Sequence, residues 1–530
     1  VIALLGGTRR TGEVGEELSS MIERELCVRR GQPRLAGEEE YAFRHTLVRE
    51  AAYTTLTDTD RALGHKLAGA WLERAGESDA MVLAEHFERG RAPEKALFWY
   101  RRAAEQALEG GDFSAAFERA ERAIACGAAG EELGGLHLLA AYSHQWQGRQ
   151  ADARRSAREA MAHLLRGSDL WYRAAGEVAM ACGRLGQRDE ILAVGAEMLE
   201  VSGSGSASPA ALLALSDGAL QLSIAGHLEL ALTILVRVEV GAAERSQLPP
   251  DVGARINKAR AYHAYFVEGD LEAFLELMAE VVEGYERAGD RRNACSAGSD
   301  LGFANLEIGA YAEAAAVLRK VVETADRMGL VTAAASARQN LGMVLARLGE
   351  LAEARRLEEQ AILSFSAQLD RRMEGGARIY LAVIHLESGD LERAAEEAKA
   401  ALDVLETAPS MRIHALATLA AVRLAQGRID EALASVCEMM ASLDEQTASF
   451  ESLGDSADAE SFIRLAHAEV LRAAGEIEAS REAIRAARDR LLARARQFRR
   501  DALRDLFLRG VPENARTLEL ARAWLGEPTG

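Results

Sequence analysis

The chain has 530 residues, with 63 basic against 82 acidic side chains, and its formal charge of −19 excludes a broad phosphate-binding surface; no nucleic-acid partner is expected. Hydrophobic residues make up 49% but aromatics only 5%, and there are eight prolines, so the apolar content is Ala and Leu suited to long, closely packed helices. Five cysteines (Cys27, Cys126, Cys182, Cys295, Cys437) without a CxxC pair read as buried thiols of a reducing, cytoplasmic setting, and no run of 18 uncharged apolar residues exists to span a membrane.

From the N-terminus, Val1 opens no signal-peptide pattern, and the chain reads as part of a longer protein. Val14 to Leu26 is predicted as a helix, with Cys27 to Arg29 and Tyr41 to Arg44 as short strands around an exposed GQPRLAGEEE turn. Helix, strand, charged hairpin, strand is the pattern of a partial winged-helix segment over residues 1–44; an irregular cap is the alternative. Residues 45–110 read as junction helices. His45, His65 and His86 there could suggest a metal triad but suit helix junctions better, so no metal is expected.

A repeat follows over residues 111–490. Gly, any residue, usually an apolar one, two more residues and then usually Ala recurs from Gly111, Gly148, Gly186, Gly226, Gly269, Gly309, Gly349, Gly389, Gly427 and Gly475, at intervals of 37, 38, 40, 43, 40, 40, 40, 38 and 48 residues. Seven residues before each glycine stands a small residue (Ala104, Ala141, Ala179, Ala219, Gly302, Gly342, Ala382, Ala420, Ala468), with Tyr262 the exception. The physical picture is a helix ended by a left-handed glycine and a second helix packing back on it through the Ala, so each repeat is one antiparallel helix pair. Pairs of this kind bury their apolar faces only by stacking, which predicts an all-α solenoid of about ten pairs in which repeats touch their neighbours and leave a concave wall.

Breaks in the period fall at residues 201–209, 244–251 and the acidic, Ser-rich 444–460, which read as projecting loops. Gly203, Ser204 and Gly205 look like a phosphate loop, but without a following Lys or third glycine they read as connector. Residues 481–509 hold ten arginines and four acids, a local +6. Ile484, Ala487, Leu491, Ala495 and Phe498 recur there at helical spacing, so the arginines line a solvated face or meet an acidic neighbour. Residues 491–530 close the chain as a helical cap.

The Leu301-Gly302, Gly309 and Ala314 set, repeated as Leu341-Gly342, Gly349 and Ala354, resembles a tetratricopeptide repeat, with a period longer than that family's 34 residues. A HEAT-like solenoid shares the period but has different turn chemistry. The run from Tyr41 through FRHTLVREAAY to Tyr53, with Leu56, Asp60, Arg61, His65, Leu67 and Leu72, then Ala84-Glu-His-Phe87 and Ala96, Tyr100, Ala103 and Ala104, resembles the junction of bacterial STAND-class signalling ATPases. With the ending VPENARTLELARAWLG it is similar to the kinase-fused form common in myxobacteria. The resemblance implies an AAA-like ATPase and a winged helix ahead of a tetratricopeptide array, often with a Ser/Thr protein kinase.

Those catalytic parts are not expected within these residues. None of the five lysines follows a glycine, as a Walker A loop requires, and no histidine is followed by Arg or Glu as HRD and HExxH motifs demand. No catalytic residue, cofactor or metal is therefore assigned. The expected function is a non-catalytic sensor and scaffold arm that binds a protein or peptide in the concave groove, or the ATPase or kinase domain of its own parent. The alternative is the ligand-sensing part of a STAND-type transcription activator whose DNA-binding module lies elsewhere. If the first helix of each pair lines the groove, as the resemblance implies, positions three, six and ten before the glycine face the partner. The resulting candidates are His263, Phe266, Ser299, Phe303, Gln339 and Met343.

Overall fold

The computed structural model describes residues 11–31, 39–203, 207–245, 247–406, 408–445 and 457–526. Most of the turn expected at 31–40, the centre of the glycine-serine loop, one residue of the 244–251 loop, most of the acidic stretch and the last four residues lie outside the described residues.

The chain divides into two compact units, residues 1–143 with 162–164, and residues 144–161 with 165–530. The first contains α1 (Thr11–Glu23), then β1 (Cys27–Arg29) and β2 (Tyr41–Phe43) paired antiparallel with Cys27 opposite Phe43 and Arg29 opposite Tyr41. There follow α2 (Thr46–Thr54), α3 (Asp58–Arg74), α4 (Ala80–Arg89), α5 (Pro93–Gly110) and α6 (Phe113–Ala125). The division falls within α7 (Gly130–Trp146) and again at the end of α8 (Gln150–His163). The helix and hairpin at the start match the predicted segment, with β1 at the expected residues.

The second unit continues with α9 (Asp169–Leu185), α10 (Arg188–Ser202), α11 (Pro209–Ile224), α12 (Leu228–Ala243), and α13 (Pro250–His263), which runs on into a π-helical turn at Ala264–Glu268. Next come α14 (Leu271–Arg287), α15 (Arg291–Ile308), α16 (Tyr311–Met328), α17 (Val331–Arg347), α18 (Leu351–Gln368), α19 (Arg371–Glu387) and α20 (Leu391–Val404). The last are α21 (Pro409–Ala425), α22 (Ile429–Glu445), α23 (Ala457–Ala473), α24 (Ile477–Ala495), α25 (Asp501–Asp505) with a π turn at Leu506–Gly510, and α26 (Pro512–Leu525). Among the described residues the fold is an all-α, tetratricopeptide-like solenoid with ten helix pairs, α5 with α6 through α23 with α24. The first inner helix, α5, precedes Gly111, so the array starts earlier than residue 111.

The repeat residues do what their chemistry dictates. All ten phased glycines are left-handed, with φ between 68° and 88°, a conformation in which a Cβ would crowd the following carbonyl. Where Asp follows the glycine it starts the next helix: the Asp112, Asp270 and Asp390 carboxylates accept the N–H of Ala115, Ala273 and Arg393. Seven of the ten residues five places after the glycines are alanines, and Ala116, Ala153, Ala314, Ala354, Ala394 and Ala432 among them are 0% exposed, the closest points of the helix crossings. A Cβ on Gly302 would lie 2.4 Å from Leu318 of the paired helix, which is why glycine rather than alanine stands there. The fifth pair departs from this rule on both helices: Tyr262 and Phe274 occupy the two small-residue positions and meet edge to face at 5.7 Å.

Within the second unit the contacts exceed the neighbour-only expectation. Helix α9 touches α19, five pairs further on. Gly148 lies against Gln368, also five pairs on, so closely that a Cβ there would come within 2.7 Å of the amide oxygen. The C-terminal cap folds back in the same sense. Phe498 and Phe507 share one apolar cluster with Tyr265, Phe274 and Ile308, and Arg347 pairs with Glu513 at 2.6 Å. The arginines of the basic segment mostly meet acids of the same unit. Arg490 and Arg494 donate to Glu460, Arg499 to Glu276, and Arg500 to Glu272 at 2.6 Å.

Of the five thiols, none is in a disulfide; Cys27, Cys182 and Cys295 are buried and Cys126 half-buried, whereas Cys437 is exposed, against the expectation, because it stands on the outer face of α22. Among the described residues no helix is long and apolar enough to cross a membrane.

Candidate ligand-binding cavity

The inner helices of seven successive pairs, α9, α11, α13, α15, α17, α19 and α21, surround a cavity of about 220 Å³. The positions that line it slide along the helices. Arg184 stands two residues before its glycine, Gln221 five, Tyr262 seven, Ser299 and Gln339 ten, and His414 thirteen. The lining stripe therefore crosses the inner helices obliquely, from the C-terminal end of α9 to the N-terminal half of α21.

A fixed set of offsets from the glycine consequently selects some lining residues in the first five of these helices, Met180, Gly183 and Leu220 among them, and none in α19 and α21. Phe266, Ser299, Phe303 and Gln339 line the cavity. His263 and Met343 are not among the lining residues. The imidazole of His263 lies 3.7 Å from the Glu268 carboxylate, and Met343, 2% exposed, is buried in helix packing. Their side chains leave α13 and α17 on flanks of the helix away from the oblique stripe.

One wall is aromatic and is built on the irregular fifth pair. The π turn after α13 re-aims the helix so that Tyr262 stacks on Phe266 at 5.9 Å while Tyr265 meets Phe303 edge to face at 5.7 Å. Tyr262 donates its hydroxyl to Asp300 at 3.1 Å, and Lys258 completes that carboxylate's coordination at 2.7 Å. Burial, with Asp300 beside it, holds the Tyr262 phenol well above its ordinary range, so it remains a hydrogen-bond donor. Next to this set, Arg255 pairs with Asp217 at 2.7 Å, joining α13 to α11. Asn340 donates to the Ser299 carbonyl at 3.3 Å, joining α17 to α15.

The remaining polar groups are tuned by burial. His414 is pushed down to about 4 and is neutral at physiological pH. Burial raises the Asp370 carboxyl against the opposing pull of Arg372 and Arg184. The Gln339 side chain, only 6% exposed, has no partner for its Oε1 among the described residues. Nothing in this set is an acid–base pair, a nucleophile with its base, or a ring of metal donors.

Lys258, Tyr262, Tyr265, Asp300, Arg184 and Arg372 were not singled out from the sequence. The signal was present in one place: Tyr262 breaks the small-residue rule, and local rule-breaking in a repeat marks a position serving something other than packing.

In the first unit, His65 and His86 approach through their Nδ1 atoms at 3.1 Å, and the Tyr53 hydroxyl lies 2.8 Å from His65 Nε2. His45 is the residue preceding α2. Among the described residues no cluster of three or more His, Cys, Asp or Glu side chains could hold a metal ion.

No protein-family model and no curated protein matches the chain. Among solved structures, a Rap protein complexed with Competence and Sporulation Factor aligns with a TM-score of 0.47 and 12% identity, over 67% of this chain and 98% of that one. A STAND protein with a tetratricopeptide-repeat sensor from Pyrococcus horikoshii aligns with a TM-score of 0.44 and 16% identity, over 76% of this chain and 66% of that one. The apo form of RapI aligns at 0.40 with 11% identity, over 68% and 99%. Similarities of this degree say nothing about what this chain binds.

Proposed function

We propose that the chain is a non-catalytic ligand-sensing arm that takes a short peptide or an exposed chain end into the cavity of its second unit, and that occupancy biases a neighbouring signalling domain of the STAND ATPase or Ser/Thr kinase type. The observation that carries this reading is the sharing of one cavity by seven inner helices, so that a single small ligand touches repeats spread over more than two hundred residues. At about 220 Å³ the space is below the roughly 300–1,000 Å³ of drug-sized pockets and admits a few side chains rather than a folded partner. A ligand gripped by many repeats distinguishes one relative arrangement of those repeats from another, and only such differential affinity shifts an equilibrium. The junction residues Tyr41 to Tyr53 and onward support the signalling context.

The test is affinity selection of a degenerate tetrapeptide library on the purified chain, beside a Ser336→Phe variant that places a ring into the cavity from a half-exposed lining position. Selective retention by the native chain, lost in the variant at unchanged melting temperature, is expected. Equal retention by both proteins would overturn the assignment of the cavity.

A further inference from the structure

The charge balance of the cavity is unlike that of the molecule around it. The whole chain is acidic, yet Arg184 and Arg372 both line the cavity and neither has a carboxylate within ion-pair distance among the described residues. Three other cations of the inner helices are matched: Arg255 with Asp217, Lys258 with Asp300, Arg378 with Glu374 and Glu397. Among the described residues the polar contact of the Arg372 guanidinium is a weak donation to the Met373 sulfur at 3.5 Å.

The acids nearby leave this positive charge largely uncancelled. Asp300 is already engaged by Lys258 and the Tyr262 hydroxyl. Asp370 spends one oxygen on the Met373 N–H at the start of α19, and burial favours its neutral form. Glu177, on α9 with Arg184, is pushed up to about 8 by burial and by Asp217, so it is mostly protonated at neutral pH. The two arginines also come from opposite turns of the solenoid, α9 and α19, which touch each other although five pairs separate them in sequence.

A second observation specifies what accompanies the anion. Gln339 lines the cavity, and its buried Oε1 has no donor among the described residues, a group that a ligand N–H would satisfy. Beside it the aromatic wall of Tyr262, Phe266 and Phe303 offers faces for an apolar side chain. Anion, N–H and apolar side chain together describe a peptide.

We propose that the ligand is a short acidic peptide whose carboxylate is gripped between Arg184 and Arg372, so that the bound anion bridges two turns of the solenoid. This rests on the peptide-sensing reading and adds the charge of the ligand and the two residues that read it. Planar guanidinium groups suit carboxylates through paired N–H donors, and the half-buried setting strengthens those bonds.

The test uses the full chain and acetylated tetrapeptide sublibraries with Glu or Asp fixed at one position, against matched Gln or Asn sublibraries and a phosphoserine sublibrary. The expected result is at least ten-fold greater retention of the carboxylate sublibraries over their amides. Arg184→Gln and Arg372→Gln should each abolish the preference at an unchanged melting temperature. Arg184→Lys, which keeps the charge, should preserve part of it and so separates loss of recognition from loss of fold. Equal retention of acid and amide peptides would overturn the carboxylate grip while leaving peptide sensing intact. Preference for phosphoserine over both carboxylates would overturn it in favour of a phosphate site. Retention of no sublibrary at all would overturn the peptide reading itself, and this inference with it.

Discussion

Glu358 shows how a single side chain is held against its own chemistry. It is fully buried in α18, neither carboxylate oxygen has a hydrogen-bond partner among the described residues, and it faces Gly342 across the helix crossing, where a Cβ would come within 2.5 Å of Oε1. Burial raises its pKa well above the ordinary 4.5. Below 4.5 the group is protonated in folded and unfolded chains alike and contributes no pH dependence. As the pH rises past that value the unfolded chain releases the proton while the folded one retains it, so the folded state is progressively penalised. Glu358→Gln, which stays uncharged at every pH, should therefore gain on the native chain as the pH rises above 4.5, by about 1.4 kcal/mol for each pH unit over which only the unfolded carboxyl is ionised, with the gain vanishing below 4.5. Urea unfolding of both proteins across that range measures it; a gain independent of pH would show that the carboxylate is ionised in the fold.

At the scale of the helix pair, the phased glycines separate two contributions that usually come together. Gly349 and Gly309 have nearly the same backbone, φ 85° and 88°, but a Cβ on Gly349 would enter open space whereas one on Gly309 would lie 3.2 Å from the Leu506 carbonyl of the C-terminal cap. Gly349→Ala should cost about 1–2 kcal/mol for the left-handed conformation alone. Gly309→Ala should cost measurably more and should loosen residues 498–511, as read by amide hydrogen exchange. Equal costs would mean that the cap yields without resistance.

The same scale explains what was legible in the sequence. Helix boundaries and crossings depend on local demands, a left-handed turn at Gly111 or Gly475 and an absent side chain at Gly302, and these leave a mark at a fixed spacing. The lining of the cavity depends on a small rotation accumulated over successive pairs. Phe303 and Gln339 at mid-array could thus be reached from a constant offset, whereas Arg184 and His414 at its ends could not. The return of the cap onto Tyr265 and Phe274 was equally hidden, because residues more than two hundred apart met through aromatic rings that carry no periodic signature. Tyr262 was visible as an exception, but its meaning required Asp300 and the π turn beside it.

For the second unit as a whole, the contacts of α9 with α19, of Gly148 with Gln368, and of the cap with α13 and α15 convert a chain of neighbour interfaces into a structure tied across its turns. A solenoid with neighbour contacts alone unfolds repeat by repeat, whereas cross-turn ties make distant repeats share one equilibrium. A ligand bridging Arg184 and Arg372 would act at such a tie, which is how occupancy of a small space can change the stability of many repeats together. The most direct test is amide hydrogen exchange of the full chain with and without a peptide retained in the affinity selection. Slowed exchange in α9, α13 and α19 together, with the outer helices α10 and α20 little changed near the N-terminal ends, is expected. Protection confined to outer helices, or to a single pair, would contradict a shared internal cavity.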